Sequence, residues 1–494
     1  MNKKLLKITL VIISITASAF VVVQSRQQLR EQQLELFTEF YGLMDTYFVD
    51  TVHLPDLMKR TMNKTLAELD RYSKYYDVEE TIKRKNDWQG ILYAGIGSGV
   101  IKTDSGVVIT YPYNDMPAMA AGLRTGDLIM KINWKNMVKQ PLDTVVKYLK
   151  GKEGDSLHIT IKRPYSGTFK VGMVRKKVVD KAVPIYFIEH DSTGYIKVNH
   201  FLFGSASALK YAFSELSAMG MKKLILDLRG NIGGSVEETA TALSAFLPIN
   251  SLVCHIKLKD STQNYSNLTL EQPTNTTMPI VVLTDRKTIS SGEIFAGCLK
   301  DQGRAIIIGD RTYGKGFVQG THFLKNGSSL YITKARYYTP SGNFIGDKGV
   351  EPQIVAKTSD SIPPHLLAII NSSVITNYCI KQRSTAKNES STIDKNTYND
   401  FVSFYLSTIS TVKLPEESTL SQLQQYSSIK ELKNEIDARK KSLTTVYKKE
   451  IEIELQKELL RQRYQYTTAG KIEFEHSVMY DFLVEKKFIS HKSK

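Results

Sequence analysis

Two adjacent serines, a lysine held between two glycines and a glutamine four residues beyond it share one segment, Thr284 to Gly320, TDRKTISSGEIFAGCLKDQGRAIIIGDRTYGKGFVQG. It contains no histidine. These residue types suit acyl transfer, in which a serine hydroxyl attacks a carbonyl and an uncharged lysine takes its proton. An apolar run ending at Thr284 or Asp285 reads as a strand, and SGEIFAGCLKDQ after it reads as a helix. Ser290 and Ser291 then fall at the helix N-terminus, where unpaired backbone N–H groups and the helix dipole favour an alkoxide or an oxyanion. Lys315 follows the buried strand AIIIGD between Gly314 and Gly316. At the edge of an apolar core an ammonium loses hydration, which moves its pKa toward neutrality. Gln319 is spaced to hold the amine.

Each piece also has a plain structural reading. Ser290 and Glu293 have the spacing of a capping box, and a lysine between glycines fits a surface turn. A third segment, KKLILDLRGNIGGSVEE, runs a buried strand (Leu224 to Leu228) into Arg229-Gly230-Asn231-Ile232-Gly233-Gly234. Glycines between a strand and a helix can form a backbone N–H cradle. The pattern matches neither GxGxxG nor GxxxxGK[ST]. It could supply the second half of an oxyanion hole.

The elements that must position these residues follow from the pattern of apolar positions. Residues 26–88 carry helical spacing (Leu34, Phe37, Phe40, Tyr41, Met44, Tyr47, Phe48) and predict two or three helices. Residues 89–179 change to short β runs broken by glycines, GILYAGIGSGVIKTDSGVVITYPY, with a helix at LDTVVKYLKG and a strand at SLHITIKR. Residues 180–358 alternate strand and helix with continuous apolar strands, which argues for an α/β core of mostly parallel strands. Residues 359–494 are rich in Ser, Thr, Lys and Glu and read as a charged, solvated helical extension, or alternatively as a partner-binding helix. The whole is a multi-domain α+β chain.

Taken together, the motifs resemble the carboxy-terminal processing, or tail-specific, serine peptidases, which use a Ser–Lys dyad. SSGE corresponds to the family's SASE segment, YGKGFVQ to FGKGxxQ, and DLRGNIGG to DLRxNxGG. The resemblance implies Ser290 as nucleophile, Lys315 as base, Gln319 as its orienting partner, and the Ser291 and Gly233 amides as oxyanion hole. YYTPSGNFIGDKGVEPQI resembles the segment that closes the family's protease core. YAGIGSGV and MPAMAAGLRTGDLIMKIN resemble the carboxylate-binding loop and core segment of a PDZ domain. Gly95, Ile96 and Gly97 would offer N–H groups to a substrate's C-terminal carboxylate, the peptide adding as a strand. The family also implies gating by that domain. Departures are Ser291 for alanine, Gly292 for serine, and Gly230 and Ile232 in the glycine loop. The neighbouring hydroxyl leaves open which serine reacts.

Two rival readings have distinct marks. A catalytically inactive, membrane-tethered PDZ scaffold would have no need of Ser290, Lys315 and Gln319 together. An α/β esterase would show a GxSxG elbow and a matching histidine, which the chain lacks. No metal or organic cofactor is called for. His200, His255 and His322 read as structural, and Cys254, Cys298 and Cys379, without a CxxC, as small core residues. The net charge of +16 is spread over 494 residues without a basic block, which argues against nucleic acid.

Protein substrates with exposed C-termini are the expected partners, with self-association through helical regions a further one. Residues 1–25 hold three early lysines and an uncharged run from Ile8 to Ser25. They fit a signal anchor, or a signal peptide cleaved after Ala17-Ser18-Ala19. Either places the remainder at the periplasmic side of a bacterial cell envelope, anchored or released.

Overall fold

A computed structural model describes residues 27–490 except 90, 104, 164–165, 357–362, 373, 386–392, 416, 418–428 and 463–465. The anchor or signal expected at residues 1–25 lies outside the described residues. The chain divides into two compact units.

The first unit holds the N-terminal residues to Thr81 together with Gln319–Thr333. A helix over residues 27–47 (α1) precedes Leu54–Ala67 (α2) and the short strand Lys74–Tyr76 (β1). Along α1, Leu34, Phe40 and Leu43 are exposed. Strand β1 pairs antiparallel with Ser329–Tyr331. Asn63 fastens α2 to it, donating to Tyr75 O (3.2 Å) and accepting Tyr75 N–H (2.9 Å).

Helix Val78–Trp88 (α3) begins in the first unit and, from Ile82, belongs to the second, where a small β domain follows. Its strands are Ile91–Gly95 (β2), Ser98–Thr103 (β3), Gly106–Pro112 (β4), Leu128–Ile132 (β5), Lys135–Asn136 (β6), Ser156–Arg163 (β7), Gly167–Val174 (β8) and Lys176–Val179 (β9), with helices Pro117–Ala120 (α4) and Leu142–Leu149 (α5). Alternation on β7 turns Leu157, Ile159 and Ile161 inward onto Val107, Ile109, Ile129, Val145 and Leu149. The fully buried Asp127 is met by Arg163 through Nε and Nη2, each at 2.8 Å. Strand β2 leaves this sheet to pair with β9 at the domain's exit.

The α/β core follows: Tyr186–Ile188 (β10), Thr193–Lys197 (β11), Ser205–Ala218 (α6), Lys223–Asp227 (β12), Val236–Leu243 (α7), Leu252–Leu258 (β13), Tyr265–Leu268 (β14), Ile280–Thr284 (β15), Ser291–Asp301 (α8), Ile306–Gly309 (β16), Phe317–Phe323 (β17), Ser329–Tyr338 (β18) and Ile354–Val355 (β19). One sheet runs β10-β11-β12-β15-β16-β19. Only the β10–β11 pairing is antiparallel. The register stacks Leu226 beside Val282 and Val282 beside Ile307. Apolar side chains on both faces of β12 and β15 require cover on both sides. On one face α6, α7 and α8 supply Leu209, Phe213, Leu243, Phe295 and Leu299.

The other face is covered from far along the chain. Phe187, Tyr195, Ile225, Val281, Leu283 and Ile308 pack against Phe474, Met479, Tyr480, Leu483, Val484 and Ile489. After Pro364–Asn371 (α9), Val374–Thr385 (α10) and Lys395–Ser407 (α11) come Ile429–Val446 (α12), Lys448–Gln462 (α13), Tyr466–Glu475 (α14) and Val478–Glu485 (α15). This corrects the reading of 359–494 as solvated. Its first helices bury Tyr378, Phe401, Tyr405, Ile451 and Leu455 in a core of their own, and its last two cover the six-stranded sheet. Their charged residues lower the average hydrophobicity, but the apolar residues are grouped on single faces.

Candidate active site

Strand β12 ends on Asp227, which is buried and surrounded by donors. Tyr195 Oη donates to it at 2.7 Å, Arg229 Nη2 at 2.7 Å and Lys197 Nζ at 3.3 Å. Burial alone would raise its pKa, but the Arg229 guanidinium and the Lys197 ammonium hold the carboxyl well below the usual range. This anchor fixes the start of the glycine loop. Asn231, fully buried, then sets the loop's shape: Nδ2 donates to Val198 O and Oδ1 accepts the Gly233 N–H, both at 2.9 Å.

Gly233, with φ +84°, lies directly on the expected nucleophile. A Cβ there would sit 2.8 Å from Ser290 Cβ and 3.1 Å from Ser291 N. The loop amides are also engaged within the chain. Gly230 N–H donates to Asp285 Oδ1 (2.9 Å) and Ile232 N–H to Asn199 O (3.1 Å). The glycine loop is therefore no open cradle of free amides.

Strand β15 delivers the serines. Ser290 is the N-cap residue of α8, with φ 57° and ψ −118°. A non-glycine residue in that region stores about 1–3 kcal/mol of strain. Ser291 is the first helical residue, so its N–H has no acceptor within the helix. Its side chain is buried and donates to Gly234 O at 2.9 Å. At Gly292, where the family pattern has serine, a Cβ would come 2.9 Å from Asn231 Oδ1.

Glu293 joins the serine segment to the lysine segment. Fully buried, its Oε2 accepts the backbone N–H of Ser290 (2.9 Å) and of Lys315 (2.8 Å). Its Oε1 accepts Thr312 Oγ1–H and Gly314 N–H, each at 2.6 Å. Burial pushes the Glu293 carboxyl up, and these donors oppose that shift. Gly314, at φ +90°, makes the turn that brings two successive N–H groups onto one carboxylate. The Tyr337 hydroxyl donates to Lys315 O. The Lys315 amine is pushed down, chiefly by burial and then by Arg84, against the opposing pull of Glu293.

Gln319 belongs to the first unit, where its Nε2 donates to Thr333 Oγ1 at 3.2 Å. Ser290, Ser291, Gly233 and Lys315 belong to the second. In the small β domain, the Ile96 carbonyl accepts Ala118 N–H (2.8 Å) and the Gly97 carbonyl accepts Tyr113 N–H (2.9 Å). In a planar trans peptide the N–H points opposite to the C=O, so the Gly97 N–H faces away from Ala118. Gly95 belongs to the β2–β9 pair, opposite Lys176. Gly97 has φ +66°, and a Cβ there would meet Met116 Cβ at 2.4 Å. His255 Nδ1 lies 2.8 Å from Ser266 Oγ between β13 and β14, and His322 is exposed on β17.

Residues 192–356 match the model of peptidase family S41, and residues 108–163 match that of a PDZ domain. A probable CtpA-like serine protease of Staphylococcus haemolyticus is 30% identical over 65% of this chain and 64% of that protein. The chain thus spans just under two thirds of that relative's length. The carboxy-terminal processing protease CtpB of Bacillus subtilis is 31% identical over 67% and 69%. A probable CtpA-like serine protease of Staphylococcus aureus is 30% identical over 71% of each chain. This chain belongs to the S41 family of serine-type carboxy-terminal processing peptidases. Among solved structures, the photosystem II D1 C-terminal processing protease is 26% identical, with a TM-score of 0.39 over 64% of this chain and 86% of that one.

Sequence reasoning saw Glu293 in this S41 chain only as a helix cap and gave Asn231 and Thr312 no role. The S-x-x-E spacing signals a carboxylate aimed at the backbone of its own serine, Ser290. Nothing in the spacing announces that the same carboxylate also holds the lysine segment.

Proposed function

We propose that this peptidase cleaves peptide bonds by acyl transfer, with Ser290 as nucleophile and uncharged Lys315 as general base. The observation that carries the reading is the shared carboxylate: Glu293 Oε2 accepts the N–H of both residues, so their backbones converge on one point. Burial supports the base, because it favours the uncharged amine. Lys315 takes the Ser290 proton, Oγ attacks the carbonyl, and Lys315 then protonates the leaving amine. Water hydrolyses the acyl-enzyme with Lys315 again acting as base. Gln319 is assigned as the amine's orienting partner on the YGKGFVQ spacing.

The oxyanion is received by the N–H of Ser291 and of Gly233. The Gly233 amide must exchange Asn231 Oδ1 for the oxyanion. A bond to a full negative charge is roughly twice as strong as one to a neutral amide oxygen, which favours the exchange. The substrate's terminal carboxylate docks at Gly95-Ile96-Gly97, and its chain extends the sheet edge of the PDZ domain. We further propose that residues 1–25 direct the chain to the outer side of a bacterial cytoplasmic membrane, where proteins with exposed C-termini are its substrates.

The test is cleavage of an unstructured protein with an apolar C-terminus, using the chain from Arg26 onward. Ser290→Ala and Lys315→Ala are expected to abolish turnover, and Ser291→Ala to retain it. Turnover surviving in Ser290→Ala or Lys315→Ala would overturn the assignment. Binding of the C-terminal peptide without turnover in the parent would favour a scaffold.

A further inference from the structure

The glycine loop hangs on the four residues that follow β11. Val198 N–H donates to Asp227 O (3.0 Å), and Val198 O accepts Asn231 Nδ2 (2.9 Å). Asn199 O accepts Ile232 N–H (3.1 Å). Phe201 N–H donates to Gly233 O (2.8 Å), and Phe201 O accepts Ser235 N–H (2.9 Å). His200 stands in the middle of this template with its side chain buried, only 2% exposed.

His200 Nδ1 accepts Leu202 N–H at 3.3 Å and lies 3.3 Å from Ser205 Oγ. The Leu202 N–H directed at Nδ1 favours the neutral tautomer with its proton on Nε2. That nitrogen makes no hydrogen bond among the described residues and lies 3.7 Å from Asp180 Oδ2. Asp180 begins the connector that leaves the PDZ domain after β9. The connector is itself laced to the template: Asn199 N–H donates to Ala182 O (2.8 Å) and Lys197 N–H to Ile185 O (3.0 Å).

We propose that His200 is a positioning residue for the oxyanion loop, and that a proton on its Nδ1 unseats that loop. The proposal rests on the Ser290–Lys315 reading above. A proton on Nδ1 would point one N–H at another, that of Leu202. The Ser205 hydroxyl, whose proton is donated to Leu202 O, can accept; the Leu202 amide cannot. Relief requires the Phe201–Leu202 peptide to turn, and Phe201 holds Gly233 and Ser235 through its own N–H and C=O. The packing leaves no slack, since a Cβ on Gly234 would lie 2.2 Å from Phe201 O.

The charged groups around the ring are few. Asp180 faces it from the connector. Glu238 of α7 caps the start of α6 beside Ser205, accepting Gly204 N–H (3.2 Å) and Ala206 N–H (3.0 Å). Burial lowers the His200 pKa from its ordinary 6.5, and Asp180 offsets part of that. A base whose folded-state pKa is depressed contributes stability above its unfolded value. That contribution is lost as pH falls toward the folded one.

The test is the slope of log kcat against pH on the acid side. Protonation of Lys315 alone gives a slope of one. A second proton that disables the site gives a slope of two at the acid end, below the ordinary histidine range. The parent is expected to break from one to two. His200→Gln, which can accept from Leu202 and donate toward Asp180 but cannot titrate, is expected to hold a slope of one and a plateau within about threefold of the parent. His200→Phe is expected to lower kcat across the range with KM unchanged.

A parent slope of one down to the pH of unfolding, read by circular dichroism, overturns the proposal, as does a slope of two in His200→Gln. Should His200→Gln fail to fold, Asp180→Asn decides. Removing the carboxylate should move the break to lower pH, and an unmoved break overturns the role. Failure of the Ser–Lys reading has a different mark, turnover in Lys315→Ala.

Discussion

Replacing Glu293 with glutamine changes two atoms' chemistry and almost no volume. The carboxylate accepts four donors, two at each oxygen. A glutamine keeps one acceptor oxygen and turns the other end into an NH2. With its oxygen toward Thr312 and Gly314, the NH2 faces the Ser290 and Lys315 N–H groups, donor against donor. A buried N–H left without an acceptor costs about 1–3 kcal/mol, so the pair costs about 2–6 kcal/mol. The flipped amide, with its oxygen on Ser290 and Lys315 and its NH2 on the Thr312 hydroxyl, leaves one orphan, the Gly314 N–H, at about 1–3 kcal/mol, relieved by shifting the loop that carries Lys315. At about 1.36 kcal/mol per tenfold, the single orphan corresponds to a loss of at least roughly fivefold in kcat, and the pair to roughly 30-fold or more. KM should stay unchanged, because the loop at Gly95–Gly97 is untouched. Steady-state cleavage of an unstructured substrate reads kcat and KM, and urea unfolding of the same variant reads the remaining cost. A variant with kcat within about twofold of the parent and an unchanged unfolding midpoint would refute the view that this carboxylate aligns the two segments.

Other consequences are open to simple assays. Because burial lowers the Lys315 pKa below the 10.5 of a free lysine, the uncharged base fraction rises at lower pH than in solution. The midpoint of the acid limb of kcat should therefore lie below 10.5, and Lys315→Arg should be silent at every pH tested. Gly233→Ala imposes a Cβ 2.8 Å from Ser290 Cβ at a φ of +84°, and is expected to abolish turnover while a C-terminal peptide still binds, as read by fluorescence anisotropy. Gly97→Ala, at φ +66° with Met116 in the way, should raise KM for such peptides while kcat persists at saturation. Arg163→Ala leaves the Asp127 carboxylate buried without its partner, and should destabilise the PDZ domain by about 3–5 kcal/mol in denaturant titrations.

The catalytic strands and helices were legible because their periodicity is local. The runs at 224–226, 280–283 and 305–308 are apolar throughout, and the serines fall where a strand must turn into a helix. Glu293 was legible as a cap and no further, since its other three donors arrive from residues 19 to 22 positions away. The Asn231–Gly233 bond was also hidden, because a side chain that satisfies its own loop leaves no spacing to read. The tail misled by averaging. Phe474, Met479, Tyr480 and Leu483 are interspersed with lysines and glutamates, and only the folded chain shows which face they share.

The cover supplied by α14 and α15 also sets a clock for biosynthesis. Lys471 Nζ reaches Ile188 O across 283 residues, and Ser490 N–H reaches Asp191 Oδ2 across 299. At about 5–20 residues per second, a ribosome takes roughly 15 to 60 s to bridge that gap. The array that holds Ile225, Val281, Leu283 and Ile308 is complete only once β16 is made, so its greasy side stays bare for the last part of that interval, roughly 9 to 36 s. Pairings this distant are slow to close and prone to intermolecular sticking. The nascent chain carries that bare face until the last helices emerge. Shortened chains that stop before residue 466 should collect in the insoluble fraction even though every catalytic residue has been made.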